Sequence, residues 1–456
     1  MKKIFYTILI LCITISMSAA FIWTKSKPKI VITPKQPLID QPVEITVSNL
    51  PANEEIAIEA SCKDNDNNVW TSHATFQADE NGVVNVAKQA PISGSYTGVD
   101  AMGLVWSIAP ANNEVLQRTG ALNTLEIELS VFCNDKLRAK KIMHRLAVLP
   151  DVERKEIREQ GLVGTLFYPK NLRNGPGVIV VGGSGGRIPE YFAQLLASHG
   201  YAALALGFFR VEGLPKKLEN IPLEYFQTAI QWFKQQPQVD KTRVAITGRS
   251  RGGELVLLLA ATFPDQIQAV VAYVPSSVVW AGMSDGSKPA WTYKGQPVSF
   301  IKRPSEEEMS EAEKQGLVPH HSGTFDDPIE STSIYLYIMK RFSQDIEAAT
   351  ISVEKITCPI LLISAEDDKM WPSTMFSEMV MKRLDDKKST IVRKHLQFPS
   401  AGHGVQNPYG PTPGRPYFHP VTQSWMTIGG TAAGNARADK EAWKGVLSFL
   451  KESLQS

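Results

Sequence analysis

The chain has 456 residues, with 43% hydrophobic and 21% charged side chains. That is enough for two or three domains and for a sizeable core. A net charge of +2 with dispersed basic residues excludes the electrostatic footprint of a nucleic-acid-binding protein, and no internal repeat or long low-complexity tract is present.

Lys2-Lys3 precede an apolar run from Ile4 to Met17, then Ser18-Ala19-Ala20. A basic start, an apolar stretch and small residues before a cut after Ala20 read as a secretory signal peptide. The same residues also read as an N-terminal membrane anchor. Ile4 to Trp23 is just long enough to span a bilayer, and Trp23-Thr24-Lys25 suits an interface. Residues 1–26 are therefore a signal peptide or an anchor, with the body exported (periplasmic or extracellular) or held at a membrane. Cys12 lies inside the apolar run without preceding small residues, so it is not read as a lipidation site.

Residues 27–150 read as all-β. Ile30–Thr33, Val43–Val47, Ile56–Ser61 and Leu125–Phe132 are strand-like and mostly alternate apolar and polar residues, the signature of half-buried strands. Turn-rich stretches separate them, as at Asn49–Glu54, Lys63–Asn68 and Ala78–Gly82. Short strands with frequent turns predict an immunoglobulin-like sandwich. Cys62 and Cys133 fall in such segments, and an oxidising compartment would permit a disulfide; the sequence leaves open whether they meet.

From about Val152 the pattern changes. Val163–Tyr168, the continuous apolar run Gly177–Val181, Ala202–Leu206, Val244–Thr247, Ile267–Tyr273 and Pro359–Ser364 read as strands. Helical patterns lie between them at Tyr191–His199, Leu223–Gln235 and Glu254–Phe263, and the last helix is Lys440–Glu452. Alternating β and α predicts a doubly wound parallel sheet over residues 151–456. Residues 276–345 break the rhythm. They read as an insertion over the sheet's C-terminal edge, a lid or substrate wall, with Ser305–Glu313 a solvated helix. Cys358 precedes a core strand and is expected to be buried.

Gly248-Arg249-Ser250-Arg251-Gly252-Gly253 sits between a strand and an apolar helix. Strand, Gly-x-Ser-x-Gly, helix is the nucleophile elbow of an α/β-hydrolase. It makes Ser250 the candidate nucleophile and the Arg251 backbone N–H an oxyanion donor at a helix N-terminus. In this fold the acid and then the base follow the serine. Glu366, Asp367 and Asp368 compete for the acid after Pro359–Ser364. Asp368 is chosen because an apolar residue and Pro follow it, at Trp371-Pro372. His395, His403 and His419 come late enough to be the base. His403 is chosen because glycines flank it directly after a strand. His395 falls within a strand, and His419 lies in a Pro-rich loop without such framing. Gly182–Gly186 would supply the second oxyanion donor, from Gly183 or Ser184. That loop lacks the spacing of a dinucleotide fingerprint. The His320-His321 pair has no accompanying metal-ligand pattern and is read as surface. No metal or cofactor is called for.

At these residues the chain resembles the acyl-CoA thioesterase / bile acid-CoA:amino acid N-acyltransferase family. In the first domain the resemblance rests on Pro42–Val47 and on Gly94–Gly98 with Gly103–Trp106. In the second it rests on Gly185–Tyr191, Ala202–Leu206 with Phe208-Phe209, Leu214-Pro215, Pro222–Phe226, Asp367-Asp368 with Trp371, Gly402-His403, and Gly429-Gly430 to Lys444. The resemblance implies an immunoglobulin-like N-terminal domain before an α/β-hydrolase domain, and a Ser or Cys nucleophile with Asp and His. Cys members lean toward amide-forming transfer and Ser members toward hydrolysis. With Ser250, the expectation is hydrolysis of a small acyl thioester through a seryl acyl-enzyme. The alternatives are an exported carboxylesterase or peptidase-like hydrolase, and an acyl-CoA:amino acid N-acyltransferase. A leader separates the chain from the intracellular coenzyme A pool of familiar members, so an ester is also open as substrate.

Overall fold

The computed structural model describes residues 27–64, 67–110, 124–412 and 414–454. The expected leader, residues 1–26, lies outside them. Among the described residues no helix is long and apolar enough to cross a membrane.

Two antiparallel sheets form the N-terminal domain. One joins Lys29–Thr33, Glu44–Ser48 and Val84–Asn85. The other runs Ser93–Gly94, Val69–Gln77, Glu55–Lys63, Thr124–Cys133 and Lys136–Leu146, with Ala109–Pro110 alongside Val69–Gln77. Strict alternation buries Ile30, Ile32, Ile45 and Val47 from the first sheet against Ile56, Ile58, Phe76, Ile127 and Leu129 from the second. Cys62 and Cys133 are buried and share no disulfide. Their strands are neighbours, but Cys133 pairs with Ile56, six residues from Cys62. At about 3.3 Å per residue they stand about 20 Å apart, which excludes the disulfide the sequence left open.

The second domain is built on an eight-stranded sheet. Its strands are β1 (Val152–Ile157), β2 (Gly164–Pro169), β3 (Gly175–Val181), β4 (Ala202–Leu206), β5 (Val239–Arg249), β6 (Ala269–Tyr273), β7 (Ile360–Ala365) and β8 (Arg393–Phe398). Their spatial order is β1-β2-β4-β3-β5-β6-β7-β8. β2 is antiparallel to β1 and to β4, and the remaining pairs are parallel. Helices α1 (Glu190–Ser198), α2 (Leu223–Lys234), α3 (Arg251–Thr262), α4 (Ser373–Asp386) and α5 (Ala432–Leu454) cover it. The apolar strands alternate between two cores. Val178, Val180, Ala203, Ala245, Val271 and Ile363 face α1 and α5. Ile179, Val181, Leu204, Ile246, Val270 and Leu362 face α2, α3 and α4. Burial on both faces is why these strands read as continuous apolar runs. This is an α/β-hydrolase fold preceded by an all-β sandwich.

The segment between β6 and β7 carries three further α-helices among the described residues, Glu306–Lys314, Thr332–Arg341 and the short Ile346–Ala349. Ser305 and Glu308 close a capping box on the acidic first one, which explains why so charged a run is helical. His320 and His321 pair with Glu313 and Asp327, each at 2.8 Å.

Candidate active site

The chain leaves β3 toward β4 on one side, and β5 lies on β3's other flank. The loops after β3 and β5 therefore part at this point of the sheet edge and open a crevice, where ligands bind in open α/β sheets. The loops after β7 and β8 close it from the far side.

Ser250 stands between β5 and α3 with φ 60° and ψ −122°. A non-glycine residue there stores about 1–3 kcal/mol of backbone strain. The turn is held by the Ser250 N–H donating to the Tyr273 carbonyl at 2.9 Å. The flanking glycines are sterically required. A Cβ on Gly248 would meet the Gly252 carbonyl oxygen at 2.3 Å, and one on Gly252 would meet the Gly182 oxygen at 2.4 Å. A Cβ on Gly183 would lie 2.9 Å from the Arg249 oxygen and 3.4 Å from Ser250 Cβ. The Gly182–Gly186 loop therefore lies directly against the elbow. The Arg251 N–H belongs to the first turn of α3, where amides have no intrahelical acceptor. The Arg251 side chain turns away. It pairs with Glu254 at 2.9 Å and donates to the Trp280 and Ala281 carbonyls at 2.9 and 3.2 Å. Burial pushes the Glu254 carboxyl up to about 7, opposed by the Arg251 charge.

Asp368 and His403 meet across the β7 and β8 loops. His403 Nδ1 lies 2.8 and 3.0 Å from the two Asp368 carboxylate oxygens. Asp368 Oδ1 also accepts from the N–H groups of Met370 and Trp371 at 2.9 and 3.2 Å. Nδ1–H is the donor to the carboxylate, so Nε2 carries the imidazole lone pair. The His403 N–H donates to the Ile428 carbonyl at 2.7 Å, and the Trp371 ring stands edge-on to the imidazole at 5.8 Å. Ser250, Asp368 and His403 are 8%, 4% and 6% exposed. The neighbouring acids do other work: Asp367 pairs with Lys369 at 2.9 Å and accepts from the Gly430 N–H, and Glu366 faces solvent.

Ser250 and His403 line one cleft of about 360 Å³ together with Gly183, Ser184, Arg249 and Tyr417. His419 also lines it, although its sequence context argued against a place here. Its ring is 2% exposed, and Nε2 stands 2.9 Å from Ser184 Oγ. Nδ1 accepts from the Val421 and Thr422 N–H groups, both at 3.2 Å. That fixes Nε2 as the protonated nitrogen, donating to Ser184 Oγ and freeing the Ser184 hydroxyl proton to donate elsewhere. Burial first, then the neighbouring His403 and Arg210, lower the His419 pKa to about 4. His419 sits in a small hairpin, Tyr417–His419 against Ser424–Met426. The contact with Ser184 spans 235 residues, and no local pattern announces it. His395, within β8, bonds the Ser364 hydroxyl at 2.8 Å instead.

A strand-order reversal, a strained serine elbow, and a His–Asp pair on later loops define an α/β-hydrolase. More narrowly, the chain belongs to the acyl-CoA thioester hydrolase/BAAT family. Residues 221–456 match the family's C-terminal region and residues 40–159 its N-terminal region. It is 29% identical over 436 residues to acyl-coenzyme A amino acid N-acyltransferase 2 of Mus musculus, covering 93% of this chain and 98% of the relative. It is 28% identical over 448 residues to the mitochondrial acyl-coenzyme A thioesterase 2 of Mus musculus, covering 95% and 91%. Among solved structures it is similar to the Pyrococcus horikoshii acylaminoacyl peptidase, at 14% identity and a TM-score of 0.40, covering 94% of this chain and 62% of that one.

Proposed function

We propose that the chain is a serine thioester hydrolase working through a seryl acyl-enzyme. The observation that carries this is the strained Ser250 elbow sharing one cleft with a His403 imidazole whose Nδ1 is committed to Asp368. In this reading His403 Nε2 takes the Ser250 hydroxyl proton as Oγ bonds to the acyl carbonyl carbon. The oxyanion is held by the N–H of Arg251 and by the Gly183-Ser184 segment. The Ser184 hydroxyl, freed as a donor by His419, would add to that hole. The C–S bond breaks, and His403 returns the proton to the leaving sulfur. Water, deprotonated by the same imidazole, then attacks the acyl-enzyme, and Ser250 departs with the proton as the acid is released.

The relatives named above include both thioesterases and N-acyltransferases. Water as acceptor is favoured by Ser250 standing where Cys marks the amide-forming members in the resemblance. The leader pattern supports export or anchoring, so the thiol that leaves need not be coenzyme A. The test is release of thiol from acyl-coenzyme A and from acyl-N-acetylcysteamine, with and without glycine or taurine. The expected result is thiol and free acid, lost about 10⁴-fold or more in Ser250→Ala. Ester turnover without thiol release, or acyl amide as the main product, would overturn it.

A further inference from the structure

The cleft divides at Ser250. One branch, about 360 Å³, opens past the exposed Arg187 and the half-buried Arg249. The other, about 200 Å³, runs beneath the segment inserted between β6 and β7. Its walls are Met283, Ile329, Ile334, Tyr335, Ile338 and Met426, and Ser250, Trp371 and His403 stand at its mouth. Tyr335 is fixed edge-on to Trp280 at 4.6 Å and to Trp371 at 5.8 Å. The two arginines that reach this branch are already committed. Arg251 bonds Glu254 and two carbonyls, and Arg303 donates to the Gly282 and Met283 carbonyls at 2.6 and 2.5 Å. Arg251 is thereby paired with a carboxylate and Arg303 is held on two carbonyls, and the other walls named above are mainly apolar.

A chain entering the arginine branch would strip water from the exposed Arg187 guanidinium, which is costly. A chain entering the apolar chamber gains the usual burial energy. On the thioesterase reading above, we propose that this chamber is the acyl subsite. It takes an apolar acyl group, and Ile334 and Ile338 on Thr332–Arg341 set its length. At about 30 Å³ per water-sized group, the chamber holds roughly six to eight carbons. The arginine branch is left to the departing group.

The test is the acyl-chain-length profile of kcat/KM from C4 to C16 in the full chain. Each buried methylene should raise kcat/KM about fourfold up to C8, after which the profile flattens or falls. Ile334→Trp should lower the C8-to-C4 ratio at least tenfold. Ile338→Ala should move the maximum about two carbons longer. These ratios are internal to each variant, so a loss of folded protein cancels. A wild-type profile still rising through C16, or one unmoved by both variants, overturns the chamber assignment. If no thioester is turned over at all, the thioesterase reading fails instead, and the same series run on p-nitrophenyl esters decides the chamber on its own.

Discussion

Three side chains of the site could be read from the sequence and a fourth could not, and the difference is physical. Ser250, Asp368 and His403 each follow a strand, so each carries a local mark: glycines where the backbone has no room, or a short loop at a strand end. His419 carries none, because its role is defined by the Ser184 oxygen, which only the folded chain brings to it. It does leave a measurable trace. Its folded pKa of about 4 lies below the ordinary histidine value of 6.5, so the unfolded chain binds the extra proton in between. Stability from this group is present above about pH 6.5 and lost as pH falls toward 4. Between pH 7 and pH 5 the expected loss is about 2 kcal/mol. Urea denaturation at the two pH values should show it, and His419→Gln should lack that share of the slope. Equal slopes in both proteins would mean the imidazole is not held neutral.

At the scale of elements, the elbow is a three-way contact rather than a motif. α3 can approach β3 only because position 252 has no side chain, and the Gly182 carbonyl occupies the space a methyl would need. Gly252→Ala should therefore cost about 1–3 kcal/mol by overpacking, and turnover should fall further than stability because the displaced backbone bears the Arg251 N–H. Thermal unfolding and kcat together check this; a variant with a lowered melting point and an unchanged kcat would be inconsistent with it. Other elements were legible in proportion to their burial. The buried parallel strands β3 to β7 stand out as apolar runs. Lys136–Leu146 does not, because it is an edge strand whose Lys136, Arg138, Lys140 and Lys141 are exposed. β1, with Glu153, Arg154, Lys155 and Glu156 in its middle, hides for the same reason. The final helix begins at Ala432, eight residues before the expected start. Its first turns are small residues packed under the site, where Asn435 accepts from the Gly402 N–H at 2.7 Å.

At the scale of the molecule, the sandwich is bonded to the very loop that links His403 to His419. Arg145, fully buried, donates to the carbonyls of Ile39 and Gln41 in its own domain and to that of Tyr409 in the other. The Thr412 N–H donates to the Trp106 carbonyl at 2.9 Å, and Arg415 to that of Pro110 at 3.3 Å. Asp40 accepts from the Trp443 indole at 2.8 Å and pairs with His199. Arg145→Ala strips a donor from three carbonyls at once, a loss of about 3 kcal/mol or more. Calorimetry should then resolve two transitions in place of one, and kcat should drop although residue 145 lies on the sandwich. A single transition with full activity would show that the domains are joined elsewhere. The straps also fix the sequence of events on heating. The contacts at Tyr409, Thr412 and Arg415 are hydrogen bonds to half-buried loop residues, whereas the eight-stranded sheet is buried on both faces. The interface should let go first, and with it the aim of the imidazole. Turnover is thus the more sensitive thermometer of this protein, fading several degrees before any change in its secondary structure.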